Sequence, residues 1–445
     1  MKQGKPWFLF LASFYFLFFL TTCVTNPVTG EAELSLVSES QEIAMGKQYY
    51  EPTVQSFDGL YPDPSAQAYV DRLGQKLSEV SHRPGLDYEF KIVNTSMVNA
   101  FALPGGKICV TRGLLTHFDK ESQLVAVLGH EIGHVTAKHA VRQMSRQMLL
   151  GTLFNVGAIA LDTQQTPYKD AFLTLGAIGI QAGLARYSRD QETESDELGL
   201  NYMTKLNYDP QGAVDVFQVF QKLQEHEPSS IDLLFASHPQ SKDREAHAKA
   251  LIATEYVLAS QKKDKIMNSD EFKKLSKKLK QEKPYYEAHD QGLKAASERL
   301  WNKAIGHFQT AVKSKPDEAL FHTHLGFAYA KIKDFNQSDQ HLKKAIQLYP
   351  QFFKPRYFLG VSNYDRQHYI DAIRYLTEAD QILPGSPQLR LILGESFEGA
   401  GNVRQAVQYY KYVYQVDSKG RFGQIAAHHL VRLGVLKPAG QPPRR

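Results

Sequence analysis

The 445-residue sequence predicts a mainly α-helical fold with one small β-sheet, in which a globular N-terminal domain is followed by a solenoid of paired helices. Three observations carry that expectation. Small residues and prolines recur every 34 positions through the last third of the chain. Long stretches of the first two thirds space apolar residues at i, i+3 and i+4, as helices with one buried face require. Strand-like patterning falls between Tyr88 and Thr111, in three short runs.

At the N-terminus, Lys2 and Lys5 form a short basic region before an uncharged run, Trp7–Leu20, the length of a signal-peptide core and short for a membrane span. Leu20-Thr21-Thr22-Cys23 resembles a bacterial lipobox, although Thr22 departs from the Gly, Ala or Ser usual before the cysteine. Residues 1–23 are therefore expected to direct export, with Cys23 as a lipid anchor, and residues 24–36, with Asn26-Pro27 and Thr29-Gly30, to form a tether. A globular domain over 37–258 follows. Helices are expected over Ser38–Tyr50 and Ala66–Val80, a strand over Tyr88–Val93, and a strand–turn–strand from Met97 through Pro104-Gly105-Gly106 to Thr111. One long helix should start at Asp119 as N-cap and run to about Met144. Two Gly/Ala-rich stretches, Leu149–Leu161 and Ala171–Ala185, read as packed helices, and a further helix covers Arg189–Leu206.

Nine lysines crowd residues 262–283, so 259–284 reads as a solvated linker helix with Phe272, Leu275 and Leu279 on one face. Beyond it, Gly292, Gly326, Gly360 and Gly394 are 34 apart, as are Pro316, Pro350 and Pro384, and Ala311, Ala345 and Ala379. That period and those residue classes match the tetratricopeptide pattern of paired helices, which predicts four repeats and a cap over 285–434, then a tail over 435–445. Such solenoids bind proteins or peptides along one face. The net charge of +5 is small for this length, which argues against nucleic-acid binding. With only Cys23 and Cys109, no disulfide scaffold and no Cys-rich metal site is expected, and Cys109 reads as a core residue.

The chemistry centres on His130-Glu131-Ile132-Gly133-His134. Residues four apart share a helix face, so His130 and His134 can offer imidazole nitrogens to one metal ion. Glu131 lies about 100° round the axis, within reach of a water activated there. Leu124, Leu128, Ile132 and Val135 can bury the opposite side. Imidazole and carboxylate donors suit Zn2+, one ion per chain, and other divalent metals are not excluded by donor type. Taken alone, Arg189–Glu197 is a charged surface helix, but it also places Glu192 and Asp196 four apart. Beside the histidine helix, Glu192 becomes the candidate third ligand and Asp196 the group that orients a ligating histidine. The other histidines, His117, His139 and His247 among them, read as structural or solvated.

His-Glu-Ile-Gly-His followed by Ser188-Arg189, Glu192 and Asp196 resembles the zincin-like metallopeptidase family that includes prenyl-protein CAAX endopeptidases and HtpX-like membrane proteases. With an export signal and a tetratricopeptide tail, the chain looks most similar to the beta-barrel assembly-enhancing protease group; Thr25–Gly30 and Asn99–Gly106 add to that likeness. The resemblance implies Glu131 as catalytic base and His130, His134 and Glu192 as zinc ligands, with Asp196 in support. It also implies that Asn99, Ala100, Phe101, Ala102, Leu103 and Pro104 form a strand edge to which extended substrate adds. His238, unremarkable on residues alone, would match a histidine that can fill the fourth zinc position in a latent state, and Arg244 an arginine near the cleft. The expected function is a secreted, periplasmic zinc endopeptidase in envelope protein quality control. Its substrates would be unfolded or misassembled envelope proteins, and its repeats would engage outer-membrane assembly machinery. The competing expectation is a non-proteolytic chaperone or scaffold with a structural or blocked metal site.

Overall fold

The structure, a computed structural model, describes residues 23–149, 186–239 and 242–437. The Trp7–Leu20 run and, beyond Leu149, both Gly/Ala-rich stretches lie outside the described residues. Among the described residues, no helix is long and apolar enough to cross a membrane. The described chain forms two compact units: one holds the residues up to Tyr50 and from Asp63 to Leu279, the other Glu51–Pro62 and Lys280 onward.

The first unit opens on a hairpin, β1 (Cys23–Thr25) against β2 (Ala32–Leu34), where the sequence suggested a tether. Asn26 explains the difference: its Oδ1 accepts from the Val28 and Thr29 amides at 2.8 and 3.3 Å, closing the turn locally. Helix α1 (Glu39–Ser56) precedes α2 (Pro64–Glu79), which Asp63 caps by accepting from Ser65 and Ala66 amides. Strand β3 (Glu89–Val93), β4 (Ala100–Leu103) and β5 (Lys107–Thr111) form one sheet in the order β3-β5-β4. β3 pairs parallel with β5, and β4 antiparallel with β5 through the Pro104–Gly106 turn. Gly105 and Gly106 have φ of 71° and 83°, which a side chain would resist. β5 is buried throughout, and Cys109 is a core residue that forms no disulfide among the described residues.

After the short α3 (Arg112–Thr116), helix α4 covers Glu121–Thr136 and buries Leu124, Leu128 and Ile132 completely. It starts later than an Asp119 cap implies. Gln123 Oε1 accepts from the Asp119 and Lys120 amides and fixes the start from inside the helix. The single helix expected to Met144 is two. Lys138 adopts φ 53°, and α5 (His139–Leu149) begins anew. At that break the Val135 carbonyl accepts from the Lys138 amide at 3.2 Å and from Arg83 Nη1 at 3.0 Å.

Helix α6 (Arg189–Lys205) starts with a capping box, Ser188 Oγ accepting from Gln191 N and Gln191 Oε1 from Ser188 N. It crosses α4 at glycines. A Cβ on Gly129 would stand 3.1 Å from Gly199 Cα, and one on Gly133 3.0 Å from Ser195 Cα. Helices α7 (Gln211–His226), α8 (Pro228–Ser237), α9 (Lys242–Thr254) and α10 (Val257–Gln261) complete this part of the chain.

The Lys-rich segment is not one solvated helix. Ile266 bridges to Tyr208, and Met267 O accepts from Ser122 N at 3.1 Å, so this stretch is tied down by backbone. Helix α11 (Asp270–Ser297) begins only afterwards and buries Phe272, Leu275 and Leu279. The apolar face overrides the charge run because buried area, not lysine solvation, decides where the helix lies.

The second unit continues as α12 (Trp301–Ser314), α13 (Ala319–Lys331), α14 (Phe335–Leu348), α15 (Phe353–Asp365), α16 (Tyr369–Ile382), α17 (Pro387–Gly399), α18 (Val403–Val416) and α19 (Arg421–Arg432). The 34-residue period is a packing period. A Cβ on Gly326 or Gly360 would stand 2.7 or 2.5 Å from Cγ of Leu342 or Leu376 on the paired helix. Ala311, Ala345 and Ala379 are fully buried, and Pro316, Pro350 and Pro384 follow helix ends. Residues 51–62 join this unit: Tyr61 donates to Glu282 at 2.8 Å, and Gln55 accepts from the Phe353 amide at 3.0 Å.

Candidate metal centre

The glycine crossing of α4 and α6 brings two separate helices to one point. His130, His134, Glu192 and His238 each present a donor atom there, all within 4.8 Å of one another. His130 Nε2 and His134 Nε2 are 2.9 Å apart, and His134 Nε2 is 3.3 Å from Glu192 Oε1. His238, which follows α8, places Nδ1 at 3.0 Å from Glu192 Oε1 and 3.4 Å from His130 Nε2. Four ligands at the corners of a zinc tetrahedron stand about 3.4 Å apart. These separations, 2.9 to 3.4 Å, lie at or just under that edge, so the donor set fits a metal ion.

Charges are arranged around this point. Burial raises the Glu192 carboxyl, yet His238, His134 and Arg244 outweigh burial and hold it well below its usual value. Burial holds the His134 imidazole well below its usual value, leaving it neutral and able to ligate. For His238 burial opposes charge, but the carboxylates of Glu192 and Glu131 prevail and raise it. Arg244, on α9, spans both carboxylates: Nε and Nη2 meet Asp196 at 2.7 and 2.8 Å, and Nη1 meets Glu192 Oε2 at 2.6 Å. Asp196 Oδ1 lies 2.9 Å from His130 Nδ1. A carboxylate only accepts, so His130 Nδ1 carries hydrogen and its Nε2 keeps a lone pair for the centre. Glu131 is buried, burial pushes its carboxyl up, and its Oε2 has no hydrogen-bond partner.

Residues 64–252 match peptidase family M48, and residues 323–351 match a tetratricopeptide repeat. This stretch is a peptidase M48 domain. A beta-barrel assembly-enhancing protease of Yersinia pestis is 32% identical over 43% of this chain and 40% of its own. One from Escherichia coli (strain K12) is 29% identical over 52% of this chain and 48% of its own. The mitochondrial metalloendopeptidase OMA1 of Arabidopsis thaliana is 32% identical over 37% of this chain and 31% of its own. The chain thus spans half or less of the length of these relatives. Among solved structures, MamA protein aligns with a TM-score of 0.29, at 24% identity over 32% of this chain and 79% of its own.

Within the M48 domain, the Asn99–Pro104 segment runs beside the cluster. β4 is an edge of its sheet, and Ala100 shares an apolar cavity of about 70 Å³ with His130, Glu131, Val127, Phe217 and Leu234. Ala102, Leu103 and Pro104 line a smaller space with His134 and Tyr187. The strand's own side chains are buried, and both side-chain polar atoms of Asn99 lack hydrogen-bond partners.

Three features of the M48 domain escape a reading of the sequence. Gly129, Gly133 and Gly199 set the helix approach, a signal present as Gly129 and Gly133 spaced four apart. Tyr187 stacks on His134, ring centroids 3.8 Å apart. His139 packs against His134 although five residues along a continuous helix would put it about 140° away. Only the break at Lys138, which no local pattern announces, turns it inward. His117 carries no role at the cluster in what the structure shows, and His247 pairs with Glu197 at the surface.

Proposed function

We propose that this chain is a zinc-dependent endopeptidase of bacterial envelope protein quality control, cutting unfolded or misassembled envelope proteins. The observation that carries the proposal is the convergence of His130, His134, Glu192 and His238 within 4.8 Å, beside a buried Glu131. Bound zinc supplies Lewis acidity to a peptide carbonyl and to attacking water. Glu131, whose carboxyl is pushed up by burial and whose Oε2 has no hydrogen-bond partner, takes the water's proton and delivers it to the leaving nitrogen. The apolar cavity beside Glu131 suits the exposed apolar side chains of unfolded chains. An extended substrate adds along β4. The names of the relatives support work on outer-membrane assembly, with the repeats recruiting clients or assembly machinery. A periplasmic location, with Cys23 as lipid anchor, belongs to the same proposal.

One observation favours a second reading, a chaperone or scaffold whose site is blocked or structural: His238 already stands among the other donors. One experiment separates the two. Cleavage of an unfolded envelope protein is measured for wild type, Glu131→Gln and His238→Ala, alongside bound zinc. The proposal expects loss of cleavage in Glu131→Gln and a gain in His238→Ala with zinc retained. Equal cleavage by wild type and Glu131→Gln sinks it, and loss of zinc from His238→Ala makes the site structural.

A further inference from the structure

His134 has a partner on its far side that no metal ligand motif requires. Its Nδ1 lies 2.8 Å from His139 Nδ1, and His139 Nε2 lies 3.0 Å from Glu194 Oε2. His139 is fully buried. Ser195 Oγ sits 3.4 Å from His139 Nδ1, and Tyr187 stacks on the His134 ring. At the outer end, Arg142 approaches Glu194 at 3.6 Å and Glu33 of the N-terminal hairpin at 3.2 Å.

We infer that His139 and Glu194 form a positioning relay that fixes the tautomer and ring orientation of His134. Glu194 as a carboxylate can only accept, so the hydrogen of neutral His139 sits on Nε2. His139 Nδ1 then carries a lone pair and can only accept from His134. The hydrogen of His134 therefore sits on Nδ1, and Nε2 keeps its lone pair toward His130 and Glu192. Reversing any step would put a hydrogen on His134 Nε2 and remove that donor from the centre. His130 reaches the same state in one step, through Asp196. His134 needs two because Glu194 stands off the ligand face of α6, and the break at Lys138 brings in the histidine that spans the gap. Neither residue touches a substrate; both act through His134.

The inference rests on the metal-centre reading above, and its test reads metal binding rather than proteolysis. Full-length wild type, His139→Leu, His139→Asn and Glu194→Ala are compared by zinc competition against a chelator and by the visible spectrum of the cobalt-substituted protein. Losing such a partner costs about 10- to 100-fold in metal affinity. That loss is expected in His139→Leu with a shifted cobalt spectrum, a smaller one in Glu194→Ala. His139→Asn, whose amide oxygen can still accept from His134 Nδ1, should recover most of the affinity. Wild-type affinity and spectrum in both His139→Leu and Glu194→Ala would overturn the relay while leaving the centre standing. If His139→Leu does not fold, Glu194→Ala at the surface end decides alone. Absence of stoichiometric zinc in wild type would overturn the centre, and the relay with it.

Discussion

Arg244 carries much of the centre's electrostatics on one side chain. It is buried and binds two carboxylates, Asp196 through both Nε and Nη2 and Glu192 through Nη1. Removing one member of a buried ion pair costs about 3–5 kcal/mol, because the remaining charge stays desolvated and unpaired. Arg244→Met is therefore expected to lower the stability of the metal-free protein by about that much. Added zinc should restore part of it, since a cation at the ligand cluster offsets Glu192. Arg244→Lys should rescue poorly, because a single ammonium cannot reproduce the planar fork on Asp196. Urea denaturation with chelator and with zinc measures this, and a metal-free Arg244→Met as stable as wild type would refute it. The sequence offered little here. Ligand spacing on one helix is written locally, so His130, Glu131 and His134 can be read from it. Arg244 and His238 reach the cluster only through tertiary folding, and without a resemblance neither residue stands out.

At the scale of the element, the crossing of α4 and α6 depends on glycines that helix propensity alone would replace. Alanine in a helix interior gains about 1 kcal/mol over glycine. Overpacking a tight contact costs about 1–3 kcal/mol. A Cβ on Gly133 would stand 3.0 Å from Ser195 Cα, backbone that cannot swing aside, so the second effect should win. Gly133→Ala is expected to lower the melting temperature and to weaken zinc binding, because Glu192 and Asp196 ride on the displaced helix. Gly306→Ala is the control: it is an exposed helix-interior glycine whose Cβ would meet nothing within 4 Å, and it should be stabilising by up to about 1 kcal/mol. Melting curves showing the same sign for both substitutions would refute the argument. The contrast also explains what was legible. The start of α6 is encoded by Ser188 and Gln191 within four residues. The end of α4 is not, because helical periodicity continues past Lys138 and one of the two donors to the Val135 carbonyl is distant Arg83.

Over the whole molecule, the repeats were the most legible part, because each 34-residue unit packs mainly on itself and its neighbours and so writes its contacts into the sequence period. The hairpin at the N-terminus and the tied-down stretch around Ile266 were not, since both depend on single side-chain or backbone bonds rather than on a pattern. Those same repeats hold histidines in pairs, His289 with His324 at 2.7 Å, both buried, and buried His322 with half-buried His341 at 2.9 Å. Burial holds His324 well below the usual imidazole value and lowers His322, and burial with neighbouring His322 brings His341 to about 4. In the unfolded chain each returns to about 6.5. Below that value the unfolded state binds protons that the folded state refuses, so acid favours unfolding. Stability contributed by these groups is complete above about pH 6.5 and is lost as pH falls through about 4 for His341. Asp63, lowered to about 2 by its bonds to Lys278, Ser65 and the Ala66 amide against the cost of burial, works in the same direction but only below about pH 4. The chain should therefore lose stability in mild acid before its paired carboxylates begin to protonate. Denaturation midpoints of full-length protein between pH 7 and 4.5 should fall, and His341→Gln should make that fall shallower by up to one proton at its steepest. A wild-type midpoint flat across this range, or a His341→Gln slope equal to wild type, would mean that these histidine pairs are protonated at no cost to the fold.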